Sequence, residues 1–238
     1  MSGFQKILRF ISRSKRKRIC ITTYYDSAFA PIGELCYQSI KRYADLHGMD
    51  VLLMDNVLSD RPAPWKKILV IKELFARGYE FVFWIDADAI FVDFTRSIES
   101  VIEAGKNLYL VKHKIDTNDV PNSGVFLIRN TVWSHAFLDA IWEKREYIHH
   151  KWWENAAIID ILGYHSLLRE TQPDIFNADI LAKIKWLGPE WNSLPGICEA
   201  EHPIIKHYAA RPQDFRISNM TNDAKIMDIM KYTKPKRD

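Results

Sequence analysis

Residues 79–88 read YEFVFWIDAD. From Tyr79 to Ile85 the run is almost entirely apolar and aromatic, without the alternation of a strand that has one wet face. Such a run fits a strand covered on both sides, as parallel sheets require. It leads directly into Asp86-Ala87-Asp88. In an open parallel sheet, ligands bind outside the carboxyl ends of the strands. The two carboxylates therefore stand where a site is expected.

The flanking segments supply the rest of such a sheet. Residues 19–25 (ICITTYY) are rich in β-branched and aromatic side chains and predict a strand. Leu35, Cys36, Ile40, Tyr43 and Ala44 recur at helical spacing within 32–47, and Gly48 follows as a stop. Residues 51–54 predict a second strand, and Asp60 to Pro64 a loop. Residues 65–77 predict an amphipathic helix that turns Ile68, Ile71, Leu74 and Phe75 inward and ends at Gly78. Strand and helix thus alternate three times, the pattern of an α/β fold with a doubly wound, mostly parallel sheet. Further strands are expected at 108–111, 124–128 and 204–208, and helices at 97–104, 131–148 and 154–162. The segment after 163 has little periodicity.

Length and composition agree with one globular domain. The chain has 238 residues, 47% hydrophobic and 26% charged, close to globular averages and far from disordered or collagen-like chains. Cys20, Cys36 and Cys198 are too few and too scattered for a disulfide framework and fit a reducing compartment. The sequence has no apolar run long enough to cross a membrane. Charge is concentrated at the start: residues 1–18 carry seven basic groups and no acid. Without these seven, 26 basic side chains face 30 acidic ones, a net −4 over the body. That balance argues against a nucleic-acid-binding body.

Phe4, Ile7, Leu8, Phe10 and Ile11 lie near one stripe of the basic leader. The pattern suits a short helix at an anionic membrane surface, or a solvated leader before the first strand. It lacks the continuous apolar stretch and cleavage site of a secretory signal. The expected organisation is a leader at 1–18, a catalytic-type domain at 19–215 and a polar tail at 216–238. The expected location is cytoplasmic, peripheral to a membrane.

Two carboxylates separated by one small residue can hold a divalent cation that bridges a diphosphate. Alone, Asp-x-Asp is a weak motif, and two acids closing a strand at a wet loop would look the same. A phosphohydrolase with Asp86 as nucleophile would place such a motif early and follow it with Thr or Val, whereas Ile90 stands here, deep in the chain. Gly-x-Gly-x-x-Gly and a Walker-type loop are both missing, which removes the usual support for nicotinamide dinucleotides and P-loop chemistry.

Four segments, in order, carry a more specific signal. They are Trp65-Lys66-Lys67-Ile68; FWIDADAIF at 83–91; Asn122-Ser123-Gly124-Val125-Phe126-Leu127-Ile128-Arg129-Asn130 with Trp133; and Ile205-Lys206-His207-Tyr208-Ala209-Ala210. Together they resemble the galactosyl- and xylosyltransferases of glycosyltransferase family 34, which includes yeast mannan galactosyltransferases and plant xyloglucan xylosyltransferases. The resemblance runs over about residues 19–212.

The resemblance implies a GT-A fold, a nucleotide-sugar donor (UDP-linked in most members), Mn2+ (or Mg2+), and transfer with retention to a glycan hydroxyl. By the same carry-over Asp86, Asp88 and His207 look like metal ligands. Lys67 and Arg211 look like cations for the donor, and Asn122, Ser123 and Gly124 like the sugar pocket. Thr22, Thr23 and Tyr24, at the end of the first strand, are placed to meet the base. The family's acidic-acidic-Gln stretch appears as Trp153-Glu154-Asn155, with Glu154 and Asn155 nearest the chemistry. Its glycine after the histidine is Ala210, and the basic residue expected two positions on is Pro212.

On residue type alone, His207 would equally be a hydrogen-bonded histidine ending a strand. Trp152, Trp153, Trp186 and Trp191 are either sugar platforms or core. The leading expectation is a transferase of galactose, glucose or xylose acting on a glycan, which could be lipid-linked. The alternative is a non-catalytic nucleotide- or carbohydrate-binding module on the same fold.

Overall fold

A computed structural model describes residues 17–54 and 57–229. The leader expectation falls almost wholly outside these residues, and so does the last stretch of the expected tail. The chain opens with β1 (Ile19–Thr22), α1 (Ala30–His47) and β2 (Asp50–Val51). It continues through α2 (Lys66–Ala76), β3 (Phe81–Ile85), β4 (Ala89–Phe91), β5 (Leu108–Ile115) and β6 (Asn118–Arg129). Then come α3 (Val132–Glu143), α4 (Trp153–Ile161), α5 (Ala178–Leu181), β7 (Ile184–Leu187), β8 (Ile205–His207) and α6 (Gln213–Ile229).

Six strands form one sheet in the order β2-β1-β3-β6-β5-β7. Only β6 runs against the others, pairing antiparallel with β3 and β5, while β1–β2, β1–β3 and β5–β7 are parallel. The expected mostly parallel sheet is therefore observed. β3 is buried along its whole length. Phe81, Phe83 and Ile85 enter the core shared with Ile40, Tyr43 and Met220, while Val82 and Trp84 enter the core shared with Ile68, Leu74 and Phe137. That two-sided burial is the physical reason for its unbroken apolar sequence.

Several local expectations change. The first strand ends at Thr22, not 25, and the second keeps only Asp50–Val51. The 97–104 segment holds a short 3-10 turn at Ile98–Val101, entered from Ser97, whose side chain accepts from the Glu99 N–H. The helix expected over 131–148 stops at Glu143, and a separate turn follows at Arg145–Tyr147. α5 and β7 occupy the segment that periodicity left blank. The domain also does not end at 215: α6 continues to Ile229, packs on α1 and buries Met220 and Met227. Ile217 and Ala224 pack beside them, so four apolar residues at helical spacing seat one face of a largely polar helix.

β4 and β8 form a separate antiparallel ribbon just beyond the end of β3, with Ala89 opposite His207. This pairing brings residues more than a hundred positions apart to the carboxyl end of β3.

Candidate functional site

Asp86 is the first residue past β3, and its N–H donates to the Gly124 carbonyl at 2.7 Å. The Trp84 indole N–H donates to Asp86 Oδ1 at 2.6 Å, and Lys67 Nζ lies 3.1 Å from the same oxygen. One carboxylate oxygen is thus fixed from behind. The other, Oδ2, faces His207 Nε2 at 4.0 Å. Asp88 is held by the ribbon, its carbonyl accepting from the Tyr208 N–H at 2.9 Å. Its Oδ1 is 3.2 Å from His207 Nε2. Among the described residues Asp86, Asp88 and His207 are the one group whose ligand atoms converge, all within 4.8 Å of one another.

The histidine is oriented by a relay. Asn192 Nδ2 donates to Asn122 Oδ1 at 3.0 Å, which leaves Asn192 Oδ1 as acceptor for His207 Nδ1 at 2.9 Å. That network assigns a proton to Nδ1 and leaves Nε2, the nitrogen a metal-binding imidazole would use, facing the carboxylates. Asn122 Oδ1 also accepts from the Gly124 N–H at 2.9 Å. A Cβ on Gly124 would fall 2.1 Å from His207 Cε1, so the ring packs directly on bare backbone. Two carboxylates and one imidazole form a hard-leaning donor set that fits Mn2+ or Mg2+ better than a structural zinc site.

Behind the cluster lies a buried charge network. Lys67, 2% exposed, reaches Glu154 Oε1 at 2.6 Å and donates to the Ser123 carbonyl at 2.9 Å, besides contacting Asp86. Burial alone would lower the Lys67 pKa; Asp86 and Glu154 outweigh it and raise it. For Glu154 burial dominates and raises the pKa despite Lys67. Glu154 Oε2 is buried with no hydrogen-bond partner among the described residues. Asp88 behaves oppositely: burial opposes its charge, but His207 and Arg216 hold its carboxyl below the usual range.

The expected residues separate into those the fold assembles and those it does not. Lys67, Asp86, Asp88, Asn122, Ser123, Gly124, Glu154 and His207 are linked by the contacts above. Asn155 is spent on the backbone of β6: its Oδ1 accepts from the Ser123 N–H at 2.9 Å and its Nδ2 donates to the Pro121 carbonyl at 3.3 Å. Thr22 Oγ1 donates to the Leu52 carbonyl at 2.6 Å, and Tyr24 accepts from Lys66 Nζ at 2.7 Å. Thr23 is buried past the end of β1.

Arg211 points elsewhere, donating to the Pro195 carbonyl at 2.8 Å and lying over Phe215. The cation beside Asp88 is Arg216, whose Nη2 is 3.5 Å from Oδ2. Ala210 has a φ of 57°, which turns the chain from β8 into α6. Glycine enters that left-handed region most easily, so the resemblance's glycine at this position has a backbone reason. Of the tryptophans, Trp191 is core, Trp152 and Trp186 are half-buried, and Trp153 is 40% exposed with a φ of 43°. His202 is exposed and apart from the cluster.

Comparison with known proteins agrees with the motif reading. Residues 22–116 match the galactosyl transferase GMA12/MNN10 family, which bears out the resemblance to glycosyltransferase family 34. Glycosyltransferase 6 of Arabidopsis thaliana is 31% identical over 124 residues, 46% of this chain and 28% of that protein. Xyloglucan 6-xylosyltransferase 1 of Arabidopsis thaliana is 32% identical over 126 residues, 46% of this chain and 26% of that one. Galactomannan galactosyltransferase 1 of Cyamopsis tetragonoloba is 32% identical over 110 residues, 42% of this chain and 25% of that one. The matched region spans about a quarter of the length of these relatives.

Among solved structures, a glycosyltransferase involved in glycosylation of the major capsid of PBCV-1 aligns with a TM-score of 0.64 at 12% identity, covering 86% of this chain and 99% of that chain. GlyE of Streptococcus pneumoniae TIGR4 aligns at 0.55 with 14% identity, covering 90% of this chain and 64% of that one. At such identities the likeness concerns architecture: the fold is GT-A.

Proposed function

We propose that this chain is a metal-dependent glycosyltransferase that moves galactose, glucose or xylose from a UDP-sugar to a glycan hydroxyl with retention. The carrying observation is the convergence of Asp86, Asp88 and an oriented His207 at the carboxyl end of β3. These three would hold Mn2+. A bound divalent ion supplies Lewis acidity to the departing diphosphate.

The chain's own residues do the rest. Lys67 and the Trp84 indole lock Asp86 so that its outer oxygen faces the cluster. The relay from Asn122 through Asn192 holds His207 by Nδ1 and keeps Nε2 aimed at the carboxylates. The unpaired Glu154 Oε2 is an acceptor awaiting a donor, and a sugar hydroxyl has that chemistry. Thr23 and Tyr24 stand at the end of β1, where the base would lie.

The basic leader extends this reading to a membrane. β1 starts at the amino end of the sheet, away from the cluster, and Arg18 donates back to the Gly78 carbonyl there. The leader's basic and apolar residues are the chemistry that would tether the protein to anionic lipid, near a lipid-linked acceptor. Retained co-sedimentation with anionic vesicles after removal of residues 1–18 would overturn this part alone.

The central test is nucleotide release from a panel of UDP- and GDP-sugars with Mn2+, Mg2+ or chelator, beside Asp88→Ala. Release from one donor, abolished by chelator and by the substitution, is expected. Mn2+-dependent nucleotide binding without release, even with glycan acceptors supplied, would instead identify a binding module.

A further inference from the structure

Arg216 is a cation that the motif pattern does not predict, and its surroundings fix it. It sits in the first turns of α6, 15% exposed at the side chain. Its Nε donates to the Tyr208 carbonyl at 3.1 Å, so the guanidinium is anchored by one edge to the residue after His207. Phe29 lies under it, 5.8 Å from ring centre to Cζ. Among the described residues the Nη fork meets one partner, Asp88 Oδ2, at a long 3.5 Å.

We propose that Arg216 is the resident counter-cation of the metal site: it neutralises Asp88 until a divalent ion takes that carboxylate, and its fork then serves the diphosphate of the nucleotide. The proposal rests on the transferase reading and adds to it a coupling between two ligands through one side chain.

The charges support the exchange. Asp86 and Glu154 share Lys67, and Asp88 has Arg216. Counting Asp86, Asp88 and Glu154 against Lys67 and Arg216, these five side chains carry one net negative charge. A divalent ion turns it to one net positive charge, which suits an arriving diphosphate. A guanidinium so close to the ion is repelled by it, yet the Tyr208 carbonyl keeps its Nε in place. The freed fork is a planar donor array suited to phosphate oxygens. Arg216 therefore competes with the ion for Asp88 and cooperates with it toward the phosphate.

The consequence is a pair of effects of opposite sign, read by calorimetry on the full chain. Removing the guanidinium in Arg216→Ala should tighten Mn2+ binding measured without nucleotide, by about three- to tenfold. The same substitution should weaken UDP binding in the presence of saturating Mn2+ by about tenfold or more, the loss of a charge-assisted fork. Uridine, which lacks the phosphates, should bind both proteins equally. Arg216→Lys guards against a folding defect: it keeps the charge, so Mn2+ affinity should stay near that of the unaltered protein. UDP affinity should fall part of the way, because the planar fork is gone.

Weaker Mn2+ binding in Arg216→Ala would overturn the proposal, because the competition would be absent. Unchanged UDP affinity in both variants would overturn it too, with the transferase reading intact. If the unaltered protein bound no Mn2+ at all, both would fall.

Discussion

His113 and His207 show how burial and partnering give one side chain two chemistries. His207 has an acceptor for its Nδ1 proton and presents Nε2 to carboxylates. His113, on β5, is 1% exposed, and neither ring nitrogen has a hydrogen-bond partner among the described residues. Burial, and secondarily the charge of His207, push its pKa down to about 4. In the unfolded chain a histidine titrates near 6.5, so acid protonates the unfolded state first. Any stability tied to neutral His113 is thus fully present above about pH 6.5 and is lost as pH falls toward 4. Between pH 7.5 and 5 that loss amounts to about 2 kcal/mol. Urea unfolding in chelator should show His113→Leu with a flatter pH dependence by roughly that amount. Equal or greater stability at pH 7.5 is also expected, because an unpaired polar group has been removed. Identical pH profiles for the two proteins would refute the assignment.

At the scale of elements, Lys67 on α2 ties together β3 through Asp86, β6 through the Ser123 carbonyl and α4 through Glu154. Removing one partner of a buried pair strands the other, at a cost of about 3–5 kcal/mol, whereas replacing both by apolar groups is often neutral. Lys67→Met alone should therefore sharply lower the urea midpoint, and Lys67→Met with Glu154→Leu should recover most of the loss. The double variant should still be inactive in nucleotide release, since Asp86 loses its brace. A double variant no more stable than the single one would show that Glu154 does not depend on Lys67.

The same elements mark where sequence reading succeeds. β3 was legible because both its faces are buried, and α1 and α2 because one face of each is. β7 was not: Ile184-Lys185-Trp186-Leu187 is a four-residue edge strand with neither alternation nor a fully apolar run. α6 was hidden because its inner stripe of Ile217, Met220, Ala224 and Met227 is thin and is interrupted by many polar residues. Arg216 went with it. The family resemblance pointed to Arg211, but the left-handed turn at Ala210 redirects the backbone, and the cation that meets Asp88 comes five residues later. Asp86 and Asp88 were legible by type and place and His207 only through the family resemblance, whereas the Asn122–Asn192 relay that orients His207 was not, since Asn192 lies outside every motif.

For the molecule as a whole, the site is a product of folding. Its three ligands come from the end of β3 and from β8, as many as 121 positions apart, and the cation beside them, Arg216, comes from α6. The unfolded chain has no such constellation, so an ion that binds the cluster binds the folded state alone. Linkage then requires Mn2+ to stabilise the entire domain, by about 2.7 kcal/mol at a hundredfold excess over its dissociation constant. For a domain of this size each kcal/mol raises the melting temperature by about 2–4 °C, so Mn2+ should raise it by about 5–10 °C. UDP added with Mn2+ should raise it further, and UDP with chelator should do little, because the diphosphate needs the ion to reverse the sign of the site's charge. Asp88→Asn removes one ligand charge and should abolish most of the Mn2+ shift while keeping the shape of the side chain. A full shift in Asp88→Asn would place the ion elsewhere on the protein. No shift in the unaltered chain would mean that the three converging ligands hold no ion tightly, and the proposed chemistry would lose its cation.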